Sequence, residues 1–370
     1  MKKLMLIFLG FTTVGFSQTT EIPDPNFEQA LIDLGYDNAP INGSVPTANI
    51  SEVTLLEVYD KNISSLDGIE DFTALNYLSC FDNQLISLDV TNNAALIQLN
   101  CSGNQLTSLD VSNNPALDFL SCNTNQLTSL NISQNTALTE LDCIDNQLTS
   151  LDLSNNAALT NLKLQTNQLT SLDVSQNTNL TFLNCINNQL TSLDVSNNTA
   201  LTYLTCRFNQ LTSLDMSNNT ALTALDCINN QLISLDVRNG NNTNFNIFYS
   251  TFNSDLICIF VDDADWSATN WINIDPTSTF VNDEAECDIL SLGDNLLVLD
   301  VNIYPNPTAN YLFIEGNKNP LAISIYNLLG AEVISESNTH KIDVSELSKG
   351  VYIINVSDGV SQTNKKFIKN

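Results

Sequence analysis

Between about Val53 and Cys258 the apolar residues of this chain recur at an interval of 21, longer than either the 3.6 of a helix or the 2 of a strand. One unit, Leu96 to Ala116, places Leu or another apolar side chain at 96, 99, 101, 106, 109 and 111. Within it Leu99-Asn100-Cys101 alternates inward, outward, inward, as a strand does. Six apolar residues cannot enclose a core alone, so the units must stack and share one. The pattern predicts a coil whose copies of Leu99-Asn100-Cys101 form a parallel sheet at about 4.8 Å spacing. No unit has room for a long helix, so the back of the coil is expected to be extended. Eight units share Asn-Gln-Leu, and diverged units around Val53–Leu66 and Phe245–Asn253 bring the expectation to about ten coils.

Four polar or thiol columns follow from the same period. Asn83, Asn104, Asn125, Asn146, Asn167, Asn188, Asn209 and Asn230 stand one above another where the chain must turn. A buried Asn there can satisfy both N–H and C=O groups of the bend, so this column reads as a structural ladder. A second set, from Asn93 to Asn219, is expected to serve the other turn. Seven of the nine cysteines occupy one inward position, at 80, 101, 122, 143, 185, 206 and 227, with Leu164 in the vacant place. Parallel Cβ vectors about 4.8 Å apart do not suit a disulfide, which wants about 3.8 Å, so these read as apolar filler, with a metal ladder as the sharper alternative. Cys258 and Cys287 stand apart and bracket both tryptophans. Their pairing would staple a cap over the last coil. Asp89, Asp110, Asp152, Asp173, Asp194, Asp215 and Asp236 share an outward position, with Asn131 in the third place. They read as turn-capping, solubilising carboxylates. The alternative is a calcium rail, with Asp173, Asp194, Asp215 and Asp236 as candidate ligands.

Comparing the copies shows which positions are free to differ. Core and turn positions scarcely change, whereas three outward strand positions do. They carry Tyr77, Phe119, Phe182 and Tyr203 in the first, Lys163 in the second, and Phe81 and Arg207 in the third, with Phe208 adjoining. Exposed aromatic groups among Asn, Ser and Thr suit a protein or glycan partner on the concave face, against simple drift at unconstrained sites. The repeat, with its Asn-Gln-Leu-Thr-Ser-Leu-Asp core, resembles the leucine-rich repeat in its short bacterial 21-residue class. That resemblance implies a mainly β solenoid over 53–257 with the parallel sheet on its concave side.

The ends differ from the middle. Ile22 to Gly35 reads as a short helix capped by Asp24, with Pro25 in its first turn and Phe27, Leu31 and Leu34 as its apolar stripe. It resembles the N-terminal cap of Bacteroidetes-type leucine-rich-repeat proteins, giving a helical cap over 18–52 and a C-terminal cap over 258–287. Lys2-Lys3, the apolar run Leu4–Phe16 and Gly15-Phe16-Ser17 read as a cleavable signal peptide over 1–17, too short to span a bilayer. After a linker at 288–300, Tyr304-Pro-Asn-Pro307, Gly350-Val-Tyr-Ile-Ile and Lys365-Lys-Phe-Ile-Lys369 punctuate about seven short alternating strands, hence a small Ig-like β-sandwich. These motifs resemble the type A C-terminal sorting domain of type IX secretion. The resemblance covers 301–370 and implies the secretion machinery as a partner and a secreted or outer-surface location. An ordinary adhesive sandwich is the plainer alternative.

Charge narrows the function. The chain has 12 basic and 41 acidic residues, a formal net charge of −29, and residues 18–300 hold 35 acids against only Lys61, Lys163, Arg207 and Arg238. Such a surface repels nucleic acid and anionic lipid. The only histidine, His340, lies in the sorting segment, so a His-based triad has no place in the solenoid and no enzyme is expected. No cofactor is implied apart from the calcium alternative. Two functions remain: a binding or adhesion protein, and a surface-layer component whose acidic columns are bridged by divalent cations.

Overall fold

The computed structural model describes residues 18–291, 301–316, 322–358 and 362–370. The signal segment 1–17 and most of the linker 288–300 fall outside these. The chain divides into two compact units, one ending at Asn282 and one beginning at Asp283.

The first unit is the solenoid. Ten three-residue strands, from Leu55–Glu57 through Tyr77–Ser79, Gln98–Asn100 and onward to Ile247–Tyr249, lie in one parallel sheet in strict chain order. Equivalent residues pair directly, Leu99 with Leu120 and Leu120 with Leu141. The 21-residue period is therefore a physical stack. Leu96, Leu99, Cys101, Leu106 and Val111 are wholly buried, and so are their counterparts in the following coils. The back is extended as the pattern implies. Toward the C-terminal end it hydrogen-bonds into a sheet, where Ser213–Asp215, Ser234–Asp236, Cys258–Phe260 and Thr279–Val281 run parallel, while early coils show isolated parallel bridges, Asp89 with Asp110 and Asp110 with Asn131.

That back sheet revises the C-terminal boundary. The segment expected to be a cap over 258–287 is itself a further coil, giving about eleven turns. It carries helix α2 (Ala264–Asn270), and its front edge bridges Asn273 to Tyr249. In this final turn no Asn-Gln-Leu stands, and the Asp275 carboxylate accepts the Phe252 and Asn253 N–H groups of the coil before it. Beyond it, helix α3 (Glu284–Ser291) runs into the stretch assigned to the linker. Cys258 and Cys287 form the expected disulfide.

At the other end helix α1 spans Pro25–Asp33. Asp24 caps it by accepting the N–H groups of Asn26 and Phe27, and its other oxygen accepts Ser64 N–H, Ser64 O–H and Ser65 N–H from the first coil. Burial raises its pKa, but the bonds from Ser64, Phe27 and Ser65 outweigh that and leave the carboxyl below its ordinary value. Phe27 and Leu31 are buried as expected. Leu34 is not: it is the C-cap residue, 45% exposed, and Ala30 faces the core instead. A two-stranded antiparallel pair, Thr19–Glu21 with Ser44–Pro46, flanks the helix.

The second unit has seven strands among the described residues, as the motif spacing implies. Val301–Tyr304, Tyr311–Gly316 and Lys341–Asp343 form one antiparallel sheet. Glu332–Ser337, Ala322–Asn327, Gly350–Ser357 and Gln362–Lys369 form the other. Their inward residues, including Leu312, Ile325, Ile354 and Phe367, make one core. Within Tyr304-Pro-Asn-Pro307 the Asn306 side chain donates to Lys366 C=O and accepts Ile368 N–H, which ties the opening motif to the basic final strand.

Candidate functional site

The scaffold under the concave face is fixed by the two asparagine columns, and they are not equivalent. Asn146 is typical of the first. Its Nδ2 donates to Cys122, Cys143 and Ile144 C=O at 3.1–3.3 Å, and its Oδ1 accepts Leu127 N–H at 3.0 Å. Asn156 is typical of the second. Its Nδ2 donates to Ile132 and Asn135 C=O, while its Oδ1 has no partner among the described residues. Each residue preceding the first column, including Asp82, Gly103, Asp145 and Asn187, is left-handed, with φ from 53° to 62°. Asp, Asn and Gly tolerate that region and fill five of the eight places, with Thr124, Thr166 and Phe208 in the others, a partial signal that the sequence reading missed.

The cysteine column is a set of seven free, buried thiols. Burial pushes Cys80 and Cys185 up to about 12 and raises the others well above the ordinary thiol range. A thiol held protonated is neither a nucleophile nor a metal ligand. We expect a maleimide at neutral pH to label none of these seven in the native protein and all seven in denaturant. Fast labelling of even one in the folded state would contradict their packing.

The acidic column faces water in tight turns. Asp110, Asp152, Asp173 and Asp194 each accept the N–H of a serine two residues on, and hydrogen bonds from that serine's hydroxyl, then its N–H, hold their pKa below the usual value. Asp215 makes the same bond to Ser217, and Asp236 pairs with Arg238 at 2.5 Å. Asn131 replaces Asp without loss because it accepts Ser133 N–H in the same way. Among the described residues no three His, Cys, Asp or Glu side chains gather as a metal site would require.

On the concave face the sequence-derived residues lie where the alternation puts them, in smaller groups than one continuous stripe. Phe182 and Tyr203, neighbours in the sheet, stack at 4.7 Å and 9°. Phe81 stacks on Tyr59 at 4.6 Å and 7°, and Tyr59, in the divergent first coil, had escaped notice. Tyr77 and Phe119 are half-buried without such a partner. Between the aromatic groups the floor is polar. Lys163 bridges Glu140 at 2.8 Å, and Asn123 donates to Asp142 at 3.2 Å. Burial raises the pKa of Asp142 and of Asp226, the latter 3.5 Å from Arg207 Nη1. Arg207 also lies over the Phe208 ring, 5.4 Å from its centroid. Phe208 itself sits beyond the strand, in the left-handed turn (φ 54°) and 44% exposed. A bulky side chain in that conformation costs on the order of 1–2 kcal/mol. The exposed Phe is kept there in spite of it.

Residues 302–370 match the family described as the secretion system C-terminal sorting domain. Among solved structures, the functional domain of InlJ from Listeria monocytogenes, described as including a cysteine ladder, is 25% identical at TM-score 0.45, over 97% of this chain and 100% of that one. The internalin inlF of Listeria monocytogenes is 24% identical at TM-score 0.50, over 65% of this chain and 82% of that one. A leucine-rich-repeat protein of Leptospira interrogans is 20% identical at TM-score 0.47, over 65% and 71%. A comparison with curated proteins finds no match. The chain is thus a leucine-rich-repeat solenoid with a type IX sorting domain at its C-terminal end, directed to secretion and the cell surface. None of its described helices is long and apolar enough to cross a membrane.

Proposed function

We propose that the solenoid is a binding module that grips a protein partner on its concave face. The observation that carries this is the flat, half-exposed Phe182–Tyr203 pair, set on a scaffold whose other positions barely vary between coils. Stacked aromatic groups and arginine are the side chains on which interface energy concentrates. Arg207 with Phe208 at the rim extends the patch, and Phe119 offers a further ring in the same column three strands away, beyond Glu140 and Asn161. Two nearby charges are already paired, Lys163 with Glu140 and Arg207 with Asp226, and the half-buried Asp142 accepts the Asn123 amide and the Ile144 N–H. The acid excess around this patch favours a partner with basic residues flanking an apolar contact, since long-range attraction speeds such encounters.

Extracellular protein arrays probed with the folded chain and with a Phe119→Ala/Phe182→Ala/Tyr203→Ala variant test the proposal. Binding should weaken at least about 30-fold, the equivalent of one hot spot of about 2 kcal/mol. The melting temperature should scarcely move, because these rings are not core. Undiminished binding by the variant would remove the concave aromatic groups from the function.

A further inference from the structure

The aromatic cluster of the last coil does more than close the core. Phe248 stacks on Trp271 at 4.0 Å and 12°, and Phe245 and Phe280 lie against the same indole at 5.3 and 5.7 Å. Trp266, on α2, meets Trp271 nearly edge-on, at 5.9 Å and 85°. Trp271 is buried, but Trp266, Phe245 and Tyr249 are only half covered. Together with Thr243, Asn246, Asn270, Ile272 and Asn273 they line a pocket of about 350 Å³, within the range of small-molecule sites.

Two features of this lining stand out. No charged side chain contributes to it, although the chain carries 41 acids. Its polar side chains are also free, except Asn270, which donates to Trp266 C=O. Nearby asparagines outside the pocket are occupied, Asn242 by Val237 C=O and Asn253 by Cys227 and Ser250 C=O. By contrast, no hydrogen bond among the described residues engages the side chains of Asn246, Asn273 and Thr243 or the Tyr249 hydroxyl. The indole N–H of Trp271 is buried without an acceptor. A buried donor left unpaired is uncommon enough to call for a partner.

We infer that this pocket binds a neutral sugar ring, with the half-exposed faces of Trp266, Phe245 and Tyr249 against its C–H groups and the free amides and hydroxyls on its O–H groups. A sugar is both apolar on its faces and rich in donors and acceptors at its edge, which is what this lining complements. A quaternary ammonium would also suit aromatic faces, but it would leave every one of those polar groups unused and gain nothing from a lining without carboxylates. The inference is independent of what the Phe182–Tyr203 patch binds.

Both tryptophans of the chain line this pocket, so intrinsic fluorescence reports on it alone. The folded chain should be titrated with the methyl glycosides of glucose, mannose, galactose and N-acetylglucosamine, with glucuronate, and with tetramethylammonium chloride. At least one neutral glycoside should change the emission saturably at millimolar concentration. Asn246→Ala, on an exposed turn, and Tyr249→Phe should each weaken that response at least fivefold with the melting temperature retained. The Phe182→Ala/Tyr203→Ala variant should titrate like the wild type. The inference fails if no neutral glycoside responds up to about 10 mM, where a millimolar site is nine-tenths filled. It fails equally if tetramethylammonium or glucuronate binds as well as the sugars, or if Asn246→Ala and Tyr249→Phe leave the titration unchanged.

Discussion

Replacing Asn146 by alanine is expected to destabilise the solenoid by about 3–4 kcal/mol, and replacing Asn156 by only about 1–2. Both are buried, both are asparagine, and both repeat every 21 residues. The difference lies in what each leaves behind. Loss of Asn146 orphans the Leu127 N–H, which has no other acceptor. It also removes one of two donors from Cys122, Cys143 and Ile144 C=O, which retain Asn125, Asn167 and the Thr124 N–H respectively. Loss of Asn156 orphans no donor, because its Oδ1 accepted nothing. Ile132 and Asn135 C=O keep the backbone N–H groups of Asn135 and Leu138. At about 2–4 °C per kcal/mol for a unit of this size, thermal melts should fall by roughly 6–15 °C for Asn146→Ala and by less than half that for Asn156→Ala. Equal losses would mean that the two columns do the same work, contrary to their bonding.

That asymmetry also marks the limit of what the sequence discloses. The period of 21 makes every inward and outward position legible, because one residue's environment is repeated in the next coil and the chain states it many times over. Asn83 to Asn230, the cysteine column and the outward aromatic groups all fall where the stripes put them. What period cannot disclose is which partner a repeated residue bonds, since identical columns look alike whether four bonds or two are made. Nor does it reach residues outside the repetition. The final coil, from Cys258 to Val281, carries α2 where the coil before it has only a single 3-10 turn, Asn242–Asn244, so it reads as a cap. Tyr59 sits in a first coil with Lys61 in place of the ladder asparagine, and its stack on Phe81 appears only when the two coils are laid one on the other. Phe208 looks like a strand neighbour in sequence, whereas its backbone is already turning.

The concave face illustrates a further point about acidic proteins. Four basic residues serve 35 acids between residues 18 and 300, and three of the four are placed against acids: Lys163 on Glu140, Arg207 on Asp226 and Arg238 on Asp236. Glu140 and Asp226 lie on the sheet, where a lone carboxylate losing water would resist burial. The remaining column acids stay in water and are steadied by turn N–H groups, which cost no counter-charge. Placement of the few cations therefore separates the surface fit for contact from the surface that keeps the molecule dispersed.

The second large effect is expected at the disulfide. In a stack where each coil is held by its neighbours, the last coil has a neighbour on one side only and is the first to fray. Here that coil buries Trp271 and Phe280 against Phe248, and Cys258 stands in its back strand pair with Thr279–Val281. Closing the span from Cys258 to Cys287 removes chain entropy from the frayed state worth about 3–4 kcal/mol for a loop of this length. A Cys258→Ser/Cys287→Ser variant should therefore lose that stabilisation locally. Tryptophan emission, which reports the last coil, should shift to the red at a lower temperature than the far-ultraviolet signal of the whole solenoid, and the two should coincide more closely in the disulfide-bonded protein. Mild reductant should reproduce the variant's behaviour, because the seven other thiols are buried and already reduced. If the emission transition stays where it was after the bond is lost, packing of the two tryptophans holds the end of the solenoid and the cross-link does not.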